Sequence, residues 1–138
     1  MKWILLNNRI INVNDSKYKI DWDKPSKSGE QFKVKQFLKQ YCKNHIIYEE
    51  YLLPRSGNLR VDFLNSTQKW AIEHQGVAHE SYNSFFHKNS RLNFLQRIKN
   101  DVKKREILEK NGYIVIETIT DDLPLSYDFF IGKFGIYL

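Results

Sequence analysis

The segment from Ile46 to Gln75 constrains the fold of this chain more than any other. It contains three strand-length stretches, Ile46 to Leu53, Leu59 to Asn65 and Lys69 to Gln75, rich in Ile, Val, Leu, Tyr and Phe. Pro54-Arg55-Ser56-Gly57-Asn58 and Asn65-Ser66-Thr67-Gln68 separate them, and both linkers carry turn chemistry. Three strands joined by short turns are expected to form an antiparallel meander.

Helical patterns flank the meander. Ser28 with Gln31 three residues later has capping-box spacing and predicts a helix from about Gly29 to Cys42, with Val34, Phe37, Leu38 and Tyr41 on one face. After Gly76 a polar, aromatic loop runs to about Asn89, and a long helix should follow from about Ser90 to Lys110. Asn111-Gly112 ends it, because either residue accepts the left-handed conformation that closes a helix. Tyr113 to Ile119 is β-branched enough for a buried strand. Upstream, Trp3 to Leu6 and Ile10 to Val13 around Asn7-Asn8-Arg9 read as a hairpin. The tail from Asp121 has room for a short helix, limited by Pro124 and Gly132. The expected layout is therefore α/β, a mixed sheet flanked by helices in the order αβββαβ behind an N-terminal β-hairpin.

At 138 residues and 41% hydrophobic content the chain suits one core rather than two. A single domain over 1–138 is expected, with hairpin and connector at 1–25, the main body at 28–120 and a tail at 121–138. Cys42 is the only cysteine, which excludes an internal disulfide and any zinc site built from several thiolates. An intracellular setting is expected. The apolar opening stops at Asn7-Asn8-Arg9, too short for a signal peptide, and no stretch approaches the roughly 20 apolar residues of a membrane span. The formal charge of +6 and pI near 9.3 favour polyanionic partners.

Alternation along the strands places the chemistry. In Arg60-Val61-Asp62-Phe63-Leu64, Asp62 points away from Val61 and Phe63; in Ile72-Glu73-His74-Gln75-Gly76, Glu73 and Gln75 share a face and His74 takes the other. If Asn65 pairs with Trp70, Asp62 lies directly opposite Glu73, with Cβ atoms roughly 5 Å apart. Two carboxylates so close repel unless a positive charge lies between them. A hard divalent cation, Mg²⁺ or Mn²⁺, would resolve that, taking one or two carboxylates and completing its shell with water and phosphate oxygens. The plainer reading is a solvated sheet face carrying two acids that bind nothing.

The stretch from Leu59 to Ile119 resembles the PD-(D/E)XK nuclease superfamily, above all its small phage, viral and bacterial members related to very-short-patch-repair-like and homing-type endonucleases. The residues that carry the resemblance are Val61-Asp62-Phe63, Ile72-Glu73-His74-Gln75-Gly76, His79, Asn100-Asp101-Val102-Lys103-Lys104 and Asn111-Gly112-Tyr113-Ile114-Val115-Ile116. It implies a restriction-endonuclease-like core and metal-dependent hydrolysis of phosphodiester bonds, with DNA as the first-choice substrate. It also implies Asp62 and Glu73 as metal ligands, with the backbone carbonyl of His74 as a third. The alternative is a nucleic-acid-binding module that keeps the fold without cleaving.

Two departures stand out. No proline precedes Asp62, and Gln75 occupies the place of the family's lysine. Glutamine can hydrogen-bond water but carries no charge. On a helical wheel Phe94, Leu95, Ile98 and Val102 mark a buried stripe, with Arg97, Asp101 and Lys104 along its border. Lys104 is the expected replacement cation; the ordinary alternative is a surface pair between Arg97 and Asp101. Glu30 shares a face with Val34 and Phe37, and the superfamily places a Glu of this helix near the metal; the ordinary reading is an acid at a helix N-terminus. His79 matches a histidine of the resembling subgroup, suited to binding phosphate or assisting the leaving group. Lys88, Arg91, Arg97, Lys99 and Lys103 would bind the nucleic acid, with Tyr82, Phe85 and Phe86 available to stack on bases. A homodimer would set two such sites on two strands.

Overall fold

The computed structural model describes residues 1–76 and 88–138. A two-stranded antiparallel hairpin, β1 (Lys2–Ile4) and β2 (Ile10–Asn12), precedes α1 (Gly29–Cys42). Then come β3 (Ile47–Leu52), β4 (Arg60–Asn65), β5 (Trp70–His74), α2 (Lys88–Lys110), β6 (Ile114–Thr118) and α3 (Tyr127–Phe134). The main sheet has the order β3-β4-β5-β6, antiparallel for the first two pairs and parallel for the last. The fold is thus a mixed α/β arrangement with a four-stranded mixed sheet and a separate N-terminal hairpin.

The turn chemistry sets the register. Asn65 Oδ1 accepts the Gln68 N–H at 2.9 Å, Lys69 adopts φ 61°, and the chain reverses so that Asn65 pairs with Trp70, Leu64 with Ala71 and Phe63 with Ile72. Asn111-Gly112 closes α2 as expected, with Gly112 at φ 83°, and hands the chain to β6.

The two faces of the sheet carry separate cores. On one, Val34, Phe37 and Leu38 of α1 and Phe130 of α3 pack on Phe63, Trp70, Ile72 and Ile116. On the other, Ile107 and Leu108 of α2 and Trp3 of the hairpin pack with Leu64, Ala71 and Tyr113. Each fully buried aliphatic or aromatic side chain contributes roughly 1.5–3 kcal/mol, so the chain is held from both sides. The C-terminal segment belongs to this packing: Phe130 is fully buried, and α3 runs through Gly132 to a left-handed Gly135.

Two expectations need correction. Leu95, Ile98 and Val102 were to be a buried stripe, but they are 51%, 44% and 52% exposed, and among the described side chains of α2 only Ile107 and Leu108 are buried. The sheet is only as long as its strands, so a helix of 23 residues overhangs it and its first half leaves the core. Strand β6 was expected to be buried but lies at the sheet's edge, where Ile116 and Thr118 are covered while Ile114 is 57% exposed. Among the described residues no helix is long and apolar enough to cross a membrane.

Candidate active site

The observed register, carried one step past Phe63 and Ile72, places Asp62 opposite Glu73 at the ends of β4 and β5. Both are largely removed from solvent, with side-chain exposures of 4% and 12%. Burial, reinforced by the neighbouring Asp62 charge, pushes the Glu73 carboxyl up to about 8 against the opposing pull of Lys104. This is the signature of two acids packed closer than their own electrostatics favour.

Two ammonium groups converge on the pair. Lys104 Nζ, from α2, lies 3.1 Å from Glu73 Oε1. Lys27 Nζ, from the connector before α1, lies 3.0 Å from Asp62 Oδ1 and 3.3 Å from Glu50 Oε1. Burial works against the Lys27 ammonium, but Asp62 and Glu50 outweigh it and hold its pKa above the usual lysine value. Asp62 Oδ2 accepts the His74 N–H at 2.8 Å. In an extended strand a residue's carbonyl points to the same edge as its N–H, so the His74 carbonyl, the expected third ligand, looks toward β4.

The donor set suits a hard cation. Asp62, Glu73 and a carbonyl are oxygen ligands of the kind Mg²⁺ and Mn²⁺ take. Among the described residues no three His, Cys, Asp or Glu side chains gather into a complete ligand set. Water and phosphate oxygens would therefore have to supply the remaining positions, as is usual for Mg²⁺.

Glu30 sits on the opposite face from the acidic pair. Its Oε1 accepts from Thr120 Oγ1 at 2.7 Å and lies 2.7 Å from His74 Nε2, while His74 Nδ1 lies 2.8 Å from Thr118 Oγ1. Hydrogen bonds from His74 and Thr120 lower the Glu30 pKa. The expectation that Glu30 lies beside the metal ligands is corrected, because α1 covers the His74 side of the sheet. Gln75 follows the end of β5, its backbone N–H bonded to Thr118 O at 2.8 Å, and it lines an open pocket of about 520 Å³ with Glu30, Lys33, His74 and Gly76. Its expected place beside Glu73 is corrected to the rim of that pocket.

The basic residues of α2 divide. Lys103 and Lys104 are half-buried, whereas Arg91, Arg97 and Lys99 are exposed on the overhanging part of the helix. The i, i+4 ion pair seen on α2 is Arg105 with Glu109, not Arg97 with Asp101. His79, Tyr82, Phe85, Phe86 and the side chain of Lys88 lie outside the described residues.

Reading the sequence alone missed Lys27, Glu50 and the buried pair behind them. Glu50 stands opposite Asp62 in the β3 register, between Glu49↔Phe63 and Tyr51↔Val61, with φ 53°. A non-glycine residue in that region costs about 1–3 kcal/mol and tends to occur where a site needs an unusual side-chain direction. Here it lets Glu49 and Glu50 both reach Gln31 Nε2, at 3.1 and 3.2 Å. No local sequence signal marks this positive-φ residue.

Comparison with known proteins adds one relative. No family model matches the chain, and no solved structure matches it. Over 61 residues it is 33% identical to the uncharacterized protein 033L of Invertebrate iridescent virus 3, a stretch covering 44% of this chain and 31% of the viral protein. The match thus spans under a third of that relative's length.

Proposed function

We propose that this protein is a Mg²⁺- or Mn²⁺-dependent endonuclease that hydrolyses phosphodiester bonds, with DNA as its substrate, on a restriction-endonuclease-like core. One observation carries the reading: Asp62 and Glu73 are buried opposite one another, and Glu73 is raised to about 8 by burial and by that neighbour. Two acids buried opposite one another repel, and Glu73 stays raised even with Lys104 beside it. Their retention fits a site that awaits a cation.

In this reading Asp62, Glu73 and the His74 carbonyl hold the ion, which when bound activates water and neutralises charge on the scissile phosphate. Lys104 holds Glu73 in place at 3.1 Å, and the His74 N–H fixes the second oxygen of Asp62. Glu30 and Thr118 pin the His74 side chain and so steady the end of β5 from the other face. Gln75 can orient a water or a phosphate oxygen but supplies no charge. Arg91, Arg97, Lys99 and Lys103, joined by Lys88 and His79, attract and align the phosphates. The likeness to a viral protein supports a viral or phage origin, with the enzyme at work inside the host cell.

Gln75 favours a second reading, a nucleic-acid-binding module that no longer cuts. Incubation of plasmid and branched DNA with Mn²⁺ separates the two. Nicking that disappears in Asp62→Ala supports the nuclease; tight binding with no cleavage at any metal concentration supports the module.

A further inference from the structure

The connector between hairpin and α1 looks like a linker in sequence, yet it is fastened with unusual thoroughness. Lys35 of α1 is fully buried, and its Nζ bonds the Lys24 carbonyl at 2.6 Å and Glu49 Oε1 at 2.8 Å. Glu49 Oε2 accepts from Ser26 Oγ at 2.6 Å and from Gln31 Nε2 at 3.1 Å. A buried ion pair is weak evidence for stability, since desolvation offsets much of its attraction. Its clear effect here is geometric: it fixes the 24–27 backbone against the sheet edge.

That fixed stretch delivers cations. Lys17, Lys19, Lys24, Lys27 and Arg60 line an open groove of about 530 Å³ with Tyr18 at its side. Asp21, Glu49 and Glu50 also line it, but Glu49 is already matched by Lys35. With Glu49 matched by Lys35 and Lys27 by Asp62, the lining still holds more cations than acids. The groove's inner end is Lys27, whose side chain is 59% exposed while its ammonium touches buried Asp62. The other cation at the site, Lys104, is 20% exposed and committed to Glu73. Lys27 is shared between Asp62 and Glu50 yet keeps most of its side chain open to the groove, whereas Lys104 is largely covered.

We infer that this groove is a binding site for the sugar-phosphate backbone of a nucleic-acid strand, with Lys27 as its innermost phosphate contact beside Asp62. The inference rests on the nuclease reading for the identity of the strand. It adds a second basic surface, separate from the α2 residues. The strand's phosphates meet Lys19 and Lys24 along the groove, and Lys27 supplies the positive charge that Gln75 lacks.

The test is metal-free binding in EDTA of a fluorescein-labelled DNA duplex, and of its single strand, across a series of salt concentrations. It compares wild type with Lys19→Glu/Lys24→Glu and with the milder Lys19→Gln/Lys24→Gln; both side chains are exposed, and matched thermal melts check the fold. The expected result is affinity at least about tenfold weaker for the Glu pair, and for the Gln pair a salt slope reduced by roughly two, one per lost phosphate contact. Wild-type binding that is salt-sensitive but unchanged by either pair overturns the groove and leaves the nuclease reading standing. No salt-sensitive binding by wild type overturns both. Lys27→Met adds a second readout: weakened binding of the strand supports the innermost contact, and unchanged binding removes Lys27 from it.

Discussion

The two faces of β5 hold their charges in opposite ways. On the α2 face, Glu73 is buried beside a like charge and its pKa is pushed up; on the α1 face, Glu30 receives hydrogen bonds from His74 and Thr120 and its pKa is drawn down. On one face the acid is drawn down by its hydrogen bonds, and on the other Glu73 stays raised even with Lys104 beside it. In the proposed nuclease the chemistry lies on the Glu73 face, and the Glu30 face backs it, joined to it through His74, whose backbone N–H bonds Asp62.

The largest effect should come from Asp62→Ala. Cleavage with Mn²⁺ should fall by at least about a hundredfold, the loss typical of removing one electrostatic stabiliser of a transition state. The same change should lower the Glu73 pKa, readable by carboxyl NMR titration. A Glu73 that still titrates near 8 would mean that Asp62 is not its perturbing neighbour.

Lys104→Met should cost about 1–3 kcal/mol of stability, because it strips a partner from a nearly buried carboxylate. Urea melts should show the loss growing as pH rises above 8, where Glu73 is ionised, and shrinking near pH 6. A pH-independent loss would reduce Lys104 to a packing residue.

A raised carboxyl binds its proton more tightly in the folded than in the unfolded chain. Glu73 therefore favours folding fully below about 4.5, and that contribution is lost as pH rises through about 8. Metal-free wild type should thus lose stability over this window relative to Glu73→Gln. Mn²⁺ at pH 8 should restore it in wild type alone, as a shift in melting temperature. Parallel stability curves for the two proteins would remove the electrostatic penalty from the account.

The smallest effect belongs to the Glu30 face. Glu30→Ala should weaken Mn²⁺ affinity far less than Glu73→Ala does, because Glu30 reaches the site only through the side chain of His74. A loss comparable to that of Glu73→Ala would show that the two faces act as one site.

Features written in local pattern were legible before the structure. The bounds of α1 follow from the Ser28 cap and the run to Cys42, although only half of the capping box forms: Ser28 Oγ accepts the Gln31 N–H at 3.1 Å, while the Gln31 side chain turns to Glu49 and Glu50. Asn65 opposite Trp70 follows from the turn. Features that depend on how far one element extends beyond another were not legible. The apolar stripe of α2 is periodic, yet periodicity does not reveal that the helix outruns the sheet that would cover it. Lys27 and Lys35 carry no local signal, because the acids they meet come from β3 and β4, far along the chain.

The most direct measurement is calorimetric titration of Mn²⁺ into wild type, Asp62→Ala and Glu73→Ala at pH 8. Saturable binding by wild type, lost in both variants, is the predicted result. Unchanged binding in both variants, or none by wild type, would contradict the assignment of Asp62 and Glu73 as the metal site.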